Sequence, residues 1–437
     1  MPILRRLEDY FEFARLGTSW RTEIIAGLTT FMTMAYIIFV NPSILAETGM
    51  PLGAVTAATC ISAAIGSILM GSIARYPIAL APGMGLNAYF TYAVVKGMGI
   101  KWEVALGAVF LSGFIFLLLT LTGLRQKIVE AMPPELYAAV AVGIGFFIAF
   151  IGFKNAGIVV ADPATTVALG SFRTPSTALA LFGLLLMASL MAWRVKAAIL
   201  IGILLTSFVG ILFGLLNWQW QPSYLPQLGA TAAKLDISGA LHIGLLEIVF
   251  VFLFVDLFDN LGTLVAVSKK AGLLDRSNKI PRVGRILMCD SLATMAGAFT
   301  GTSTVVSYIE SASGVAAGGR SGVTAIVTGL LFICALFLAP LFGAIPASAT
   351  APALILVGSL MISHAAEINW HDAEAAVPAF LTITMIPLSF SIASGLSIGF
   401  IAYTLLKLIR GKWREIGWLV YLLTALFILR FLYVGKS

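Results

Sequence analysis

Read by its apolar and polar positions, the chain is a succession of long apolar runs separated by short charged breaks. Runs of spanning length begin near Ile24, Val55, Ile78, Val104, Pro134, Ser176, Ala197, Leu245, Ile286, Thr302, Val323, Ala349, Ala375 and Ser394. A hydrocarbon core of about 30 Å takes roughly 20 apolar residues per helix, so the pattern predicts an all-α polytopic membrane protein with fourteen spans. A further apolar stretch, Ile416 to Val434, is interrupted by Arg430 and reads either as a span or as an interfacial segment.

Charge tests that count independently. Lys and Arg accumulate in the cytoplasmic loops of membrane proteins. With the N-terminus inside, the inside loops hold 20 of them and the outside loops five: Lys96, Lys101, Lys154, Arg173 and Lys234. The asymmetry supports both the fourteen spans and a cytoplasmic N-terminus. Composition agrees: 59% of the residues are hydrophobic and 11% charged, against about 25% charged in soluble domains. The net charge of +7 is spread over short loops, not gathered on one face, which argues against nucleic-acid binding. Met1 to Arg21 is amphipathic with no small-residue cleavage site and reads as a cytoplasmic lead-in. Cys60, Cys289 and Cys334 lie in apolar runs without metal-type spacing, so no metal site is expected.

Two parts of the sequence echo each other. Cys60 to Gly71 (CISAAIGSILMG) resembles Asp290 to Gly301 (DSLATMAGAFTG), and the segment from Ala131 echoes the one from Ala344. A seven-span unit followed by a second seven-span unit runs in the opposite sense, which is the inverted repeat of many secondary transporters. Spans 3 and 10 break the apolar pattern. The first, YPIALAPGMGLNAYFTY, carries Pro77, Pro82, Gly83 and Gly85, and the second, TGTSTVVSYIESASG, is rich in hydroxyls with a short β-branched stretch. Non-helical backbone at membrane depth survives only where protein or a water-filled cavity satisfies it. Corresponding broken spans in two halves point to a binding site near the midplane.

Span 8, IVFVFLFVDLFDNLGTLVAV, places Asp256, Asp259 and Asn260 on one helix face, and Glu310 adds an acid in span 10. Each Asp at a helix centre costs roughly 2.5–3.5 kcal/mol on insertion scales, and no Lys or Arg lies in these spans to pair with them. Acids without basic partners serve stability poorly and suit exchange with protons and substrate. For Asp259 the reading is divided between proton coupling and bracing an adjacent broken helix. Asn87 either contacts substrate or satisfies kinked backbone; Tyr89 and Tyr308 either stack on a planar ligand or pack.

These residues lie in segments that resemble a known family. TTFMTMAYIIFVNPSIL (Thr29 to Leu45), APGMGLNAYFTY (Ala81 to Tyr92), FVDLFDNLGTL (Phe254 to Leu264) and SYIESASGVAAGGRSGVTA (Ser307 to Ala325) are similar to the AzgA-type purine permeases of the nucleobase–cation symporter superfamily. The resemblance implies a core domain (1–126 and 244–342) and a gate domain (127–243 and 343–437). It implies Asp256 and Glu310 as substrate-binding acids, Asn87 as a polar contact of span 3 and Asp259 as a second essential acid. With Tyr308 and Tyr89 as candidate ring contacts, the expected substrate contacts are Asp256, Glu310, Asn87, Tyr308 and Tyr89, and Asp259 and Asn260 are expected in proton coupling or site support. Uracil and xanthine relatives typically carry Glu, then His four residues on, where this chain has Asp256 and Asn260, which favours the purine branch. The expectation is therefore a transporter and not an enzyme, in the plasma membrane (the inner membrane of a Gram-negative cell). It takes purine nucleobases with H+ as coupling ion, needs no cofactor, and has the lipid bilayer and a second copy of the chain as candidate partners. Rival readings are less well served. An anion carrier wants cations or helix N-termini at its site, not acids. An intramembrane aspartyl protease wants a Gly-x-Gly-Asp stretch that the chain lacks. A channel does not need broken spans in both halves.

Overall fold

The computed structural model describes residues 2–124, 133–215, 223–242, 246–275, 280–342 and 345–433. Among them, eight helices are long and apolar enough to cross a membrane, and four apolar helices are shorter. The stretch read as either span or interfacial segment contains one of the shorter ones, within the helix Trp418–Tyr433. Two compact units partition the chain: residues 1–121 with 153–353, and 122–152 with 354–437.

The first unit contains both broken spans. Helix Leu52–Leu69 continues through a wider π-type turn, Met70–Ala74, and then the chain becomes extended as β1, Leu80–Pro82. Its counterpart, helix Val283–Thr300, is followed by β4, Val305–Ser307. The two strands pair antiparallel, with Leu80 opposite Ser307, Ala81 opposite Val306 and Pro82 opposite Val305. Each leads into a short helix, Met84–Ala88 after β1 and Ser311–Ala316 after β4. Pro and Gly end the helical pattern ahead of β1, while Val305 and Val306 suit a pleated, fully buried strand.

Small residues let the flanking helices reach the strands. A Cβ at Gly66 would lie 3.0 Å from Leu80 and 3.3 Å from Val305, and one at Gly297 would lie 2.7 Å from Val305. Gly66 and Gly297 lie near the ends of the two helices whose sequences echo each other, one place out of register in that echo. The apolar cluster around them joins Tyr76, Ile78, Leu80, Leu264, Val267, Ile286, Cys289, Ala293 and Val305. Two β-strands elsewhere in this unit, β2 (Val159–Asp162) and β3 (Thr166–Leu169), form a hairpin between the helices Pro134–Asn155 and Pro175–Ala192.

The second unit is helical and built around Ala138, Ala139, Val142, Ile368, Ala379 and Ile383. Gly145 and Gly358 bring two of its helices into close contact, for a Cβ at Gly358 would sit 2.4 Å from the Gly145 carbonyl oxygen. At one end of its antiparallel pair Ala373–Leu388 and Ile392–Ile409, buried Glu374 meets Lys407, Arg410 and Lys412.

The packing beside the strands generates an expectation. Gly297→Ala should lower stability by about 1–3 kcal/mol through overpacking against β4, read as a lower melting midpoint of the detergent-solubilised protein. Gly262→Ala, at a helical glycine with open space around it, should leave the midpoint unchanged or raise it.

Candidate functional site

The strand pair needs a partner for every outward-facing backbone group, because no water is assured at this depth. Side chains supply them. Ser67 Oγ accepts from Leu80 N at 2.9 Å and donates to Leu80 O at 3.0 Å. Thr294 Oγ1 donates to Val305 O at 3.0 Å. Ser311 Oγ accepts from Ala79 N, also at 3.0 Å, and Asn260 Oδ1 accepts from Ser307 N at 3.4 Å. The backbone closes the ends, with Tyr308 N donating to Ala79 O and Gly83 N to Thr304 O. The Tyr308 hydroxyl donates a hydrogen bond to Pro82 O, which pins the residue after β4 to the last residue of β1.

Around this frame lie most of the residues that the sequence singled out. Helix Leu246–Lys270 packs against β4 and the Ser311–Ala316 helix, and carries Asp256 and Asn260, both fully buried. Asn260 bridges two elements, donating to Asp290 while it accepts from Ser307 N. Glu310 precedes helix Ser311–Ala316 and remains partly exposed. Its Oε1 accepts from the Tyr36 hydroxyl at 2.5 Å. Tyr36 sits in the break between helices Trp20–Met34 and Ile37–Leu45. Tyr89 is buried, with its ring edge-on to Phe252, 5.2 Å between centroids, one turn before Asp256 on the same face. The side chain of Asp259 lies outside the described residues.

Asn87 belongs to a buried polar ladder. It donates to Asn41 Oδ1 and accepts from Ser303 Oγ, while Asn41 donates to Thr59 Oγ1 at 2.7 Å and to Thr302 Oγ1 at 2.9 Å. An Asn amide offers two N–H donors and two acceptor sites, so these bonds leave Asn87 one of each. The ladder ties the Met84–Ala88 helix, through Asn87 in its second half, to the bend before β4.

Sequence reasoning missed Tyr36, Asn41, Thr302, Ser303 and Asp290 as parts of this site. Asn41 had a signal, since an Asn inside the apolar run IIFVNPSIL demands a partner, and Tyr36, just ahead of that run, had none. The others are small hydroxyls or an acid near a repeat boundary, and only folding shows what they face. Buried Glu23 was also missed. It accepts from the backbone N–H of Arg320, Ser321 and Thr324 at 3.0–3.2 Å and from Thr324 Oγ1 at 2.5 Å. It thereby caps helix Gly322–Leu338, where an anion meets the positive end of the helix dipole.

Among the described residues no group of three or more His, Cys, Asp or Glu side chains is arranged to hold a metal ion. What the arrangement offers instead is a rigid extended frame, a partly exposed carboxylate, a buried second one, and aromatic faces nearby. That is the equipment of a polar-ligand site inside an apolar body.

Comparison with known proteins places the whole chain. A family model described as a permease family matches residues 21–398. The chain belongs to that family. The guanine/hypoxanthine permease PbuG of Bacillus subtilis is 48% identical to it, covering 98% of this permease and 100% of PbuG. The adenine permease AdeP of Escherichia coli is 44% identical over 98% of this permease and 96% of AdeP. The resemblance to purine permeases carried by the four motifs is thus met along nearly the full length. In fold, the permease matches the transmembrane domain of the cyanobacterial bicarbonate transporter BicA with a TM-score of 0.66, at 15% identity, over 87% of this chain and 97% of that one.

The frame makes a clear demand on Ser67. Ser67→Ala removes the partner of both polar groups of Leu80, and each buried group left unsatisfied costs about 1–3 kcal/mol. The variant should melt well below the parent protein, whereas Ser43→Ala, which loses a local bond to Val40 O on the preceding turn, should melt close to it.

Proposed function

We propose that this permease imports purine nucleobases (guanine or hypoxanthine, adenine, or several of them) by proton symport with alternating access. What supports the reading is 44–48% identity to purine permeases over nearly the whole chain, together with a β1–β4 frame beside which lie Glu310, Tyr308 and the helix that carries Asp256. A planar base has N–H donors along one edge. Glu310, partly exposed and with one oxygen taken by Tyr36, has its other oxygen suited to accept such a donor. Asp256 supplies the second carboxylate, and the free donor and acceptor of Asn87 suit a ring nitrogen or carbonyl. Tyr308, whose hydroxyl is bound to Pro82, and Tyr89 present ring faces to a flat ligand.

Protonation of one acid neutralises the loaded site, and the carboxylates titrate as a coupled set. Asp259 and Asn260 complete the proposal. Asn260 supports the site by holding β4, and Asp259 is the second acid of span 8.

Fourteen spans in two inverted halves, with the N-terminus cytoplasmic, form the topology proposed with this function. Its support is that segments read as lying on one side bond to one another. Glu12 pairs with Arg75 and Arg282, and Glu23 accepts from Arg320 N; all are inside segments. Glu47 binds Tyr92 and Asn155, Asp236 N donates to Glu103 O, and Ala233 N donates to Phe299 O; all are outside segments. The matched order helix, strand, short helix in both halves supports the inverted repeat.

The test is uptake of radiolabelled hypoxanthine into cells lacking their own purine permeases. Glu310→Gln should abolish proton-coupled uptake while the protein still reaches the membrane. Uptake at the parent rate in that variant would sink the mechanism, and parent protein that carries no purine would sink the substrate class.

A further inference from the structure

The helical lead-in Pro2–Tyr10 and the residues after it end in a cluster that the transport site does not use. Glu12 there faces three guanidinium groups. Arg15 Nη2 approaches Glu12 Oε2 at 2.5 Å, while Arg75 Nη1 and Arg282 Nη1 share Oε1 at 3.2 and 3.3 Å. Arg75 Nη1 also donates to Tyr10 O at 2.8 Å. One carboxylate cannot neutralise three guanidinium groups, and Asp275, near enough to act on the Tyr76 phenol, still leaves the cluster positive.

Three features indicate that the cluster is built and not incidental. Glu12, Arg75 and Arg282 all hold positive φ values, 58°, 61° and 58°, a conformation non-glycine residues adopt rarely and at a cost. The guanidinium planes are propped on aromatic rings, Arg75 over Tyr10 at 5.1 Å and Arg282 over Tyr76 at 5.7 Å. Those rings are themselves fastened, Tyr10 OH to Ser72 O at 2.6 Å and Tyr76 OH to Pro281 O at 2.8 Å.

Donors remain unspent. Arg75 Nε is buried and has no hydrogen-bond partner among the described residues. Arg282 occupies the position before helix Val283–Thr300, and its side chain makes no capping bond there. The N-terminus of an 18-residue helix, whose first N–H groups have no partner within the helix, therefore lies beside it. Burial, then repulsion from Arg75, holds the Arg282 guanidinium below its ordinary value, as expected of a cation short of counter-charge.

We infer that Arg75, Arg282, Arg15 and the start of helix Val283–Thr300 form a phosphate-binding site on the face that carries the N-terminal helix. Planar guanidinium forks match phosphate oxygens in pairs, and the helix N-terminus adds favourable dipole charge. The source is either the headgroup of an anionic phospholipid or free inorganic phosphate. The neighbouring helix favours the lipid, since Leu4 and Leu7 are exposed on the same short helix as Arg5 and Arg6, the pattern of a segment lying in a membrane interface. Arg75 stands five residues before β1, so an occupied site would stiffen the entry to the transport frame.

The experiment compares melting midpoints of the full chain in nanodiscs of phosphatidylglycerol and of phosphatidylcholine, and in detergent with and without inorganic phosphate. The parent protein should melt at least about 3 °C higher in the anionic discs, a readable shift for a chain of this size. Arg282→Gln should lose most of that gain, while the double variant Arg5→Gln, Arg6→Gln should keep most of it. If inorganic phosphate in detergent gives the same gain and Arg282→Gln abolishes it, the site stands with free phosphate as its ligand. An equal gain in parent and Arg282→Gln, or no gain in either medium, overturns the inference. Should Arg282→Gln fail to accumulate, Arg282→Lys retains the charge but not the fork, and an undiminished gain in that variant overturns it equally.

Discussion

Two three-residue strands at membrane depth impose the constraint on which this structure turns. An α-helix satisfies its own backbone, but a strand cannot, and each N–H or C=O left bare in an apolar body costs several kcal/mol. Pairing β1 with β4 settles the groups that face each other. The outward-facing groups recruit Ser67, Thr294, Ser311 and Asn260 from four separate segments. The glycines at 66 and 297 follow from the same need, because the helices bearing Ser67 and Thr294 must come within hydroxyl reach of the strands. Hydroxyl and glycine placement along these helices is thus a consequence of the strands and not an independent feature.

The same bookkeeping separates the acids by role. Glu23 has its oxygens filled by backbone N–H groups and a threonine hydroxyl, so it belongs to the architecture of a helix end. Glu12 and Glu374 are anchors among cations. Asp290 is bound to Asn260, which in turn holds β4. Glu310 differs from these: its carboxylate accepts from the Tyr36 hydroxyl, and its side chain stays partly exposed. Buried acids are therefore not equivalent evidence of chemistry. The informative one is the acid whose surroundings leave capacity for a ligand.

Relatedness and fold speak to different questions. Identity of 44–48% over nearly the full length of named purine permeases supports a substrate class. The match to a bicarbonate transporter at 15% identity concerns only the path of the chain. A shared path of the chain does not imply a shared ligand, because ligand choice rests on the side chains of a site and not on the fold that carries it. Beside the strands of this chain lie carboxylates and an amide, Asp256, Glu310 and Asn260.

Much of this protein was legible in one dimension. Apolar run length marks helices because a bilayer sets a length scale: among the described residues eleven of the fourteen apolar runs begin within a few residues of a long or shorter apolar helix, and a twelfth, near Ile286, begins within the less apolar helix Val283–Thr300. The two exceptions, near Ile78 and Thr302, are the broken spans, where proline, glycine and β-branched residues announced lost helicity before any coordinates. Asp256 and Glu310 stood out because an acid in an apolar run is expensive wherever it lies. The sequence by itself therefore determined the class, the breaks and the costly residues, all of which depend on composition within a short window. Only the tertiary structure decided that β1 meets β4, that Tyr36 reaches Glu310, that Asn87 is shared between Asn41 and Ser303, and that Arg75 and Arg282 converge on Glu12. Each of those joins residues tens to hundreds of positions apart, and hydrogen-bond partnership is a matter of ångströms that no local pattern encodes.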